Sequence, residues 1–155
     1  MEHHGYMISK ELYGWILDNI PKGSRILELG SGDGTKLLSE HYTMFSIENN
    51  EKYLNLHSSI YIYAPVVNGW FDVDAVKRQM PKDYDLILVD APPAFTEEAR
   101  MGFYHNINLF NTNVPIIIDD THRAGEKKLA NNLRKHLNKE YEEVVCNHKS
   151  FCIFK

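Results

Sequence analysis

Three groups of residues in this chain have types and spacings suited to chemistry. The first is the segment ILELGSGDGT, residues 26–35, with Gly30, Gly32 and Gly34 and the hydroxyls of Ser31 and Thr35 among them. Glycines so placed let the backbone turn sharply and approach a ligand closely, because no Cβ stands in the way. The second is Glu48, which ends a predicted strand about twenty residues beyond that loop, where an acid accepts hydrogen bonds from both hydroxyls of a ribose. Together they imply a nucleotide-like ligand. The third group is acidic: Asp90 in LILVDAPP, and Asp119 with Asp120 in IIIDDTHR. Three carboxylates crowded at one cleft repel unless a proton or a cation intervenes, so a hard, oxygen-liganded divalent metal such as magnesium or manganese is expected on them. Asp90, Asp120 and nearby His122 are the candidate general bases.

These residues need elements to position them, and the pattern supplies an alternation. Ser9 to Ile20 reads as a helix capped by Ser9, with Leu12, Trp15, Ile16 and Ile20 at helical spacing. Strands are predicted over Arg25–Leu29, Tyr42–Glu48, Ser59–Ala64, Tyr84–Asp90 and Val114–Asp119. Helices are predicted over 35–40, 51–56, 72–79 (capped by Asp72), 96–110 and 121–137, the last with Asp120 or Thr121 as its cap. The unbroken apolar run YDLILVD suits a central parallel strand covered on both faces. YEEVVC and FCIFK around Asn147-His148-Lys149-Ser150 make a terminal hairpin. The expected architecture is α/β, a Rossmann-like doubly wound sheet, mostly parallel, with a C-terminal antiparallel hairpin, in one domain spanning 1–155. In such a sheet the acidic strand ends meet at the ligand crevice.

Composition narrows the classes. The chain has 155 residues, 43% hydrophobic and 25% charged, which is globular rather than disordered. A net charge of −4 and a pI near 6.0 give no overall attraction to nucleic acid or to an anionic membrane. The basic run Lys127, Lys128, Arg134 and Lys135 reads as a solvated helix face. No stretch approaches the ~20 apolar residues of a membrane span, and the N-terminus lacks a signal-peptide core. Cys146 and Cys152 form no CxxC pattern and read as buried thiols, so a reducing, cytoplasmic setting is expected.

The string E-L-G-S-G-D-G-T, with Glu28, Gly30, Gly32 and Gly34, resembles the first motif of class I S-adenosylmethionine-dependent methyltransferases. The resemblance implies that the loop (Glu28, Gly30, Ser31, Gly32, Gly34, Thr35) wraps the methionine part of S-adenosylmethionine, that Glu48 holds its ribose and that Asp90 borders it. A dinucleotide dehydrogenase would carry G-x-G-x-x-G instead. Magnesium-dependent catechol-type O-methyltransferases are similar in having an Asp after the fourth strand and an Asp-Asn pair after the fifth, to which Asp90, Asp119 and Asp120 correspond approximately. They use a lysine base where this chain has Pro93. From Asp85 onward, DLILVDAPPAF, ARMGFY and IDDTHR resemble the glucuronoxylan 4-O-methyltransferase-like family. That likeness implies methyl transfer to a sugar hydroxyl, with Arg100 gripping a substrate carboxylate.

The expected partner is thus a small-molecule or saccharide acceptor, with no nucleic acid and no membrane; a homodimer is compatible with the sequence. Three other readings stay open. Asp90-Ala91-Pro92-Pro93 with Phe95 approximates the D/N-P-P-Y/F segment of amino-methyltransferases, with an extra alanine. An aminopropyl transferase shares the fold. A non-catalytic cofactor-binding protein would keep the loop without the chemistry. His4, Tyr6 and Met7 are candidates to fold over the cleft, and Tyr63, Trp70 and Phe71 to flank the adenine or the acceptor.

Overall fold

The computed structural model describes residues 8–93 and 98–155. Ser9 caps α1 (Lys10–Asn19): its hydroxyl accepts from the Leu12 N–H, and Leu12 and Ile16 on the inward stripe are buried. The alternation follows as β1 (Arg25–Leu29), α2 (Asp33–Ser39), β2 (Thr43–Glu48), a 3-10 turn at Glu51–Tyr53, and β3 (Ile60–Tyr63). A small hairpin of β4 (Val66–Val67) and β5 (Trp70–Phe71) leads into α3 (Val73–Gln79), whose cap Asp72 accepts from the Asp74 N–H. Then come β6 (Leu86–Val89), α4 (Gly102–His105), a 3-10 turn at Ile107–Leu109, β7 (Ile116–Asp119), α5 (Ala124–Leu137), β8 (Glu142–Cys146) and β9 (Lys149–Phe154).

Seven strands form one sheet in the order β3-β2-β1-β6-β7-β9-β8. β1, β2, β3, β6 and β7 are parallel, and β9 lies antiparallel between β7 and β8. This is the predicted Rossmann-like α/β sheet with its antiparallel hairpin. β6 shows why its sequence is apolar without alternation. Leu86 and Leu88 pack with Leu12, Ile16 and Leu38 on one face, while Ile87 and Val89 pack with Val76, Phe103 and Leu129 on the other. Each such side chain contributes roughly 1.5–3 kcal/mol by leaving water. Among the described residues, no helix is long and apolar enough to cross a membrane.

Several expectations need correction. The helix expected over 96–110 shrinks to α4 and a 3-10 turn, its first residues lying outside the described ones. Arg100 is drawn into the interior, and Gly102 is pressed against Trp70 so closely that a Cβ would overlap the indole. The helix expected from Thr121 begins at Ala124, and neither Asp120 nor Thr121 caps it. Asp120 takes a left-handed φ of +60°, and Thr121 bonds instead to Ser150 through both backbone and hydroxyl. Trp70 and Phe71 are core residues, 4% and 1% exposed, and neither is among the residues lining the large cavity described below. Cys146 and Cys152 are free and buried, as expected.

Candidate active site

Strand register sets the site. Leu29 pairs with Ile47 on one side and Val89 on the other, so the next residues along the chain, Gly30 between Glu48 and Asp90, stand side by side at the strand ends. Val89 pairs with Ile118, which brings Asp119 alongside Asp90. The crevice between β1 and β6 is where the strand order reverses, the usual ligand position of an open α/β sheet.

On the glycine side, Gly30 has φ +95°, and a Cβ there would stand 2.7 Å from that of Ala91. Glycine is required on both counts. Glu48, 4% exposed, accepts from the Ser31 N–H at 3.0 Å through one oxygen and from the Asn50 N–H at 2.8 Å through the other. Each oxygen keeps a further lone pair for a ligand hydroxyl. Glu28, expected among the cofactor ligands, is not one of the residues lining the cavity. It lies buried beneath the loop, accepting from the hydroxyls of Thr35 at 2.5 Å and Ser46 at 2.6 Å. Thr35 in turn accepts from the Gly32 N–H at 3.1 Å. Burial pushes Glu28 up to about 7, against the lowering effect of its two hydroxyl donors, and the charge of Glu48 adds to the rise. It holds the loop from below.

On the acidic side, Asp90, Asp119 and Asp120 each present an oxygen, all within 4.8 Å of one another. The strained Asp120 backbone turns its N–H onto Asp119 Oδ1 at 2.9 Å. Burial and the Asp120 charge push Asp119 up to about 6; burial and then the Asp119 charge push Asp90 well above the carboxylate range, with Arg100 opposing. Arg100, only 4% exposed, donates to the carbonyls of Asp90 at 3.1 Å and Pro92 at 3.4 Å. Its guanidinium lies 3.4 Å from the Asp90 carboxylate, 3.7 Å from Glu126 and 4.0 Å from Asp120. Arg100 Nη1 and Glu126 Oε2 are buried without hydrogen-bond partners among the described residues. Arg100 is thus engaged with these carboxylates.

The two sides enclose one cavity of about 460 Å³, into which Gly30, Ser31, Gly32, Gly34, Thr35 and Glu48 open together with Asp90, Asp119, Asp120 and Arg100. His122 is not among its walls. That side chain is exposed, accepts from the Ser150 N–H at 3.2 Å and faces a neighbouring depression. Tyr63 donates to Glu51 and also stays off the cavity. His4, Tyr6, Met7 and Phe95 lie outside the described residues. Glu126 escaped the sequence reading, yet left a signal: it continues the inward stripe of Leu129, Ala130 and Leu133, an acid where an apolar residue belongs.

No protein-family model and no curated protein matches this chain. Solved structures do. A methyltransferase from Pyrococcus furiosus shares 16% identity over 99% of this chain and 87% of its own, with a TM-score of 0.63. The SAH-bound methyltransferase PaMTH1 of Podospora anserina shares 18% over 96% and 80%, at 0.63. The O-methyltransferase TomG from Streptomyces achromogenes, involved in tomaymycin synthesis and solved with SAM, shares 12% over 95% and 80%, at 0.60. The fold is thus the Rossmann-like one of these methyltransferases.

Proposed function

We propose that this chain is an S-adenosylmethionine-dependent methyltransferase acting on an oxygen of a sugar or other small hydroxylated acceptor. The observation that carries the reading is the single cavity in which the glycine loop, Glu48 and the acidic strand ends converge at the reversal of strand order. The SAH- and SAM-bound neighbours of the same fold support the donor, and TomG supports oxygen as the acceptor atom. The sugar reading comes from the resemblance carried by the segments after Asp85.

Gly30, Ser31, Gly32, Gly34 and Thr35 would hold the amino-acid end of the donor and Glu48 its ribose. S-adenosylmethionine supplies, when bound, a methyl group already activated by a positive sulfur. What is left to the protein is alignment of an acceptor oxygen and removal of its proton. Asp90 and Asp120 face the same space, and one of the two would take that proton. His122, outside the cavity, does not. A divalent cation suits the donor set: oxygens about 2.1 Å from a six-coordinate ion lie up to ~4.2 Å apart, close to the 4.8 Å limit within which the three carboxylates gather. Asp90, Asp119 and Asp120 would hold magnesium or manganese, which lowers the pKa of a coordinated hydroxyl.

Methyl transfer to uronic-acid sugars and small phenols, assayed with EDTA and with added Mg²⁺ or Mn²⁺, tests this. Transfer that EDTA abolishes and metal restores is expected. Turnover unaffected by EDTA removes the metal, transfer to an amino group instead replaces oxygen as the acceptor, and donor binding without turnover on any acceptor favours a binding protein.

A further inference from the structure

Beside the cleft, and sharing Arg123, Lys149 and Ser150 with it as a common wall, lies a second depression of about 410 Å³. Its charge is the reverse of the acidic cluster's. Arg123, Lys127 and Lys149 stand there against one carboxylate, Glu143, which Lys127 already engages, and His122 and His148 add two imidazoles. Arg123 is half exposed, with Nη1 3.8 Å from Asp120, and Lys149 is close enough to Asp119 to lower its pKa. These two cations thus mark the border between the acidic strand ends and the basic depression. α5 starts at the same place with no side chain capping its first amides. Ala124 and Val145, the latter 70% exposed, give the wall an apolar part.

We infer that this depression is the anchoring subsite of the acceptor, and that the acceptor carries an anionic group, carboxylate or phosphate, bound by Arg123 and Lys149. Its role in the reaction rests on the methyltransferase reading; its capacity to bind anions does not. A guanidinium and an ammonium on the shared wall attract a negative group, Arg123 offering paired donors to two oxygens. Held there, the acceptor turns its hydroxyl toward Asp90 and Asp120. Arg100, by contrast, is buried among Asp90, Asp120 and Glu126.

The test is ¹H–¹⁵N NMR of the full chain titrated separately with inorganic phosphate, glucose 6-phosphate, glucuronate and uncharged glucose. Anions should shift the amides of Ala124, Gly125 and Lys149 while glucose leaves them in place. Combining Arg123→Gln with Lys149→Gln should weaken anion binding at least tenfold in a protein whose spectrum stays dispersed. Phosphates acting alone would point to a phosphorylated acceptor, glucuronate acting alone to an acidic sugar. Equal response to glucose, or equal anion affinity in the variant, overturns the subsite. A parallel titration with S-adenosylhomocysteine separates the two claims: anion binding in a protein blind to that ligand keeps the anion site and removes its role in methyl transfer.

Discussion

The two walls of the cleft are built on opposite principles. Around the glycine loop, Glu48 and Glu28 are met by backbone amides and hydroxyls at 2.5 to 3.0 Å. That wall is organised before any ligand arrives. Across from it, three carboxylates share one buried arginine, contacts stretch to between 3.4 and 4.0 Å, and Arg100 Nη1 and Glu126 Oε2 find no partner among the described residues. Fixed dipoles suit a donor that must always bind in the same way; unbalanced charge suits a place that completes itself with a cation and an acceptor.

The contrast is broken most severely by removing Arg100. Arg100→Met leaves buried Glu126 without a cation and Asp90 and Asp120 less compensated, and should cost about 3–5 kcal/mol in urea unfolding, partly restored by acidic pH. A smaller loss would mean that the cluster is wetter than the geometry shows.

Next comes a pH effect on the glycine wall. Glu28 titrates at about 7 when folded, against an ordinary value of 4.5. The folded state therefore holds a proton that the unfolded state releases, and the stabilisation is complete below about pH 4.5 and lost as pH rises through 7. Glu28 alone should make the protein less stable at pH 8 than at pH 5 by on the order of 3 kcal/mol, and Glu28→Gln should flatten that profile. An unchanged slope in the variant would place the effect elsewhere.

Gly30→Ala forces a side chain into positive φ and against Ala91, so a loss of about 2–3 kcal/mol and at least tenfold weaker S-adenosylhomocysteine binding are expected by chemical denaturation and calorimetry. The smallest effect is a control outside both walls. Asp72→Ala removes the cap of α3, should cost ~1 kcal/mol, and should leave that affinity unchanged.

What could be read from the sequence divides along the same line. β1, the Ser9 and Asp72 caps and the apolar run of β6 are local patterns, and the structure follows them. The glycine loop is also local, and its residues open to the cavity apart from Glu28, whose inward direction depends on Thr35 and Ser46. The acidic wall depends on pairing far along the chain. Nothing near Arg100 tells that Glu126 waits 26 positions later, nor that tertiary contact overrides the helical spacing of 96–110. The β4–β5 hairpin is local too: Val66-Val67-Asn68-Gly69-Trp70-Phe71 carries the Asn-Gly signal, and Asn68 and Gly69 take φ of +54° and +87°.

Calorimetry of S-adenosylhomocysteine and its 2′-deoxy analogue, each with the wild type and with Glu48→Gln, tests the central claim most directly. The account predicts that the wild type binds the parent compound and loses at least tenfold when the ribose hydroxyl is removed, while the variant binds weakly and loses little more. Absence of binding to the wild type, or the same penalty for the missing hydroxyl in both proteins, would contradict it.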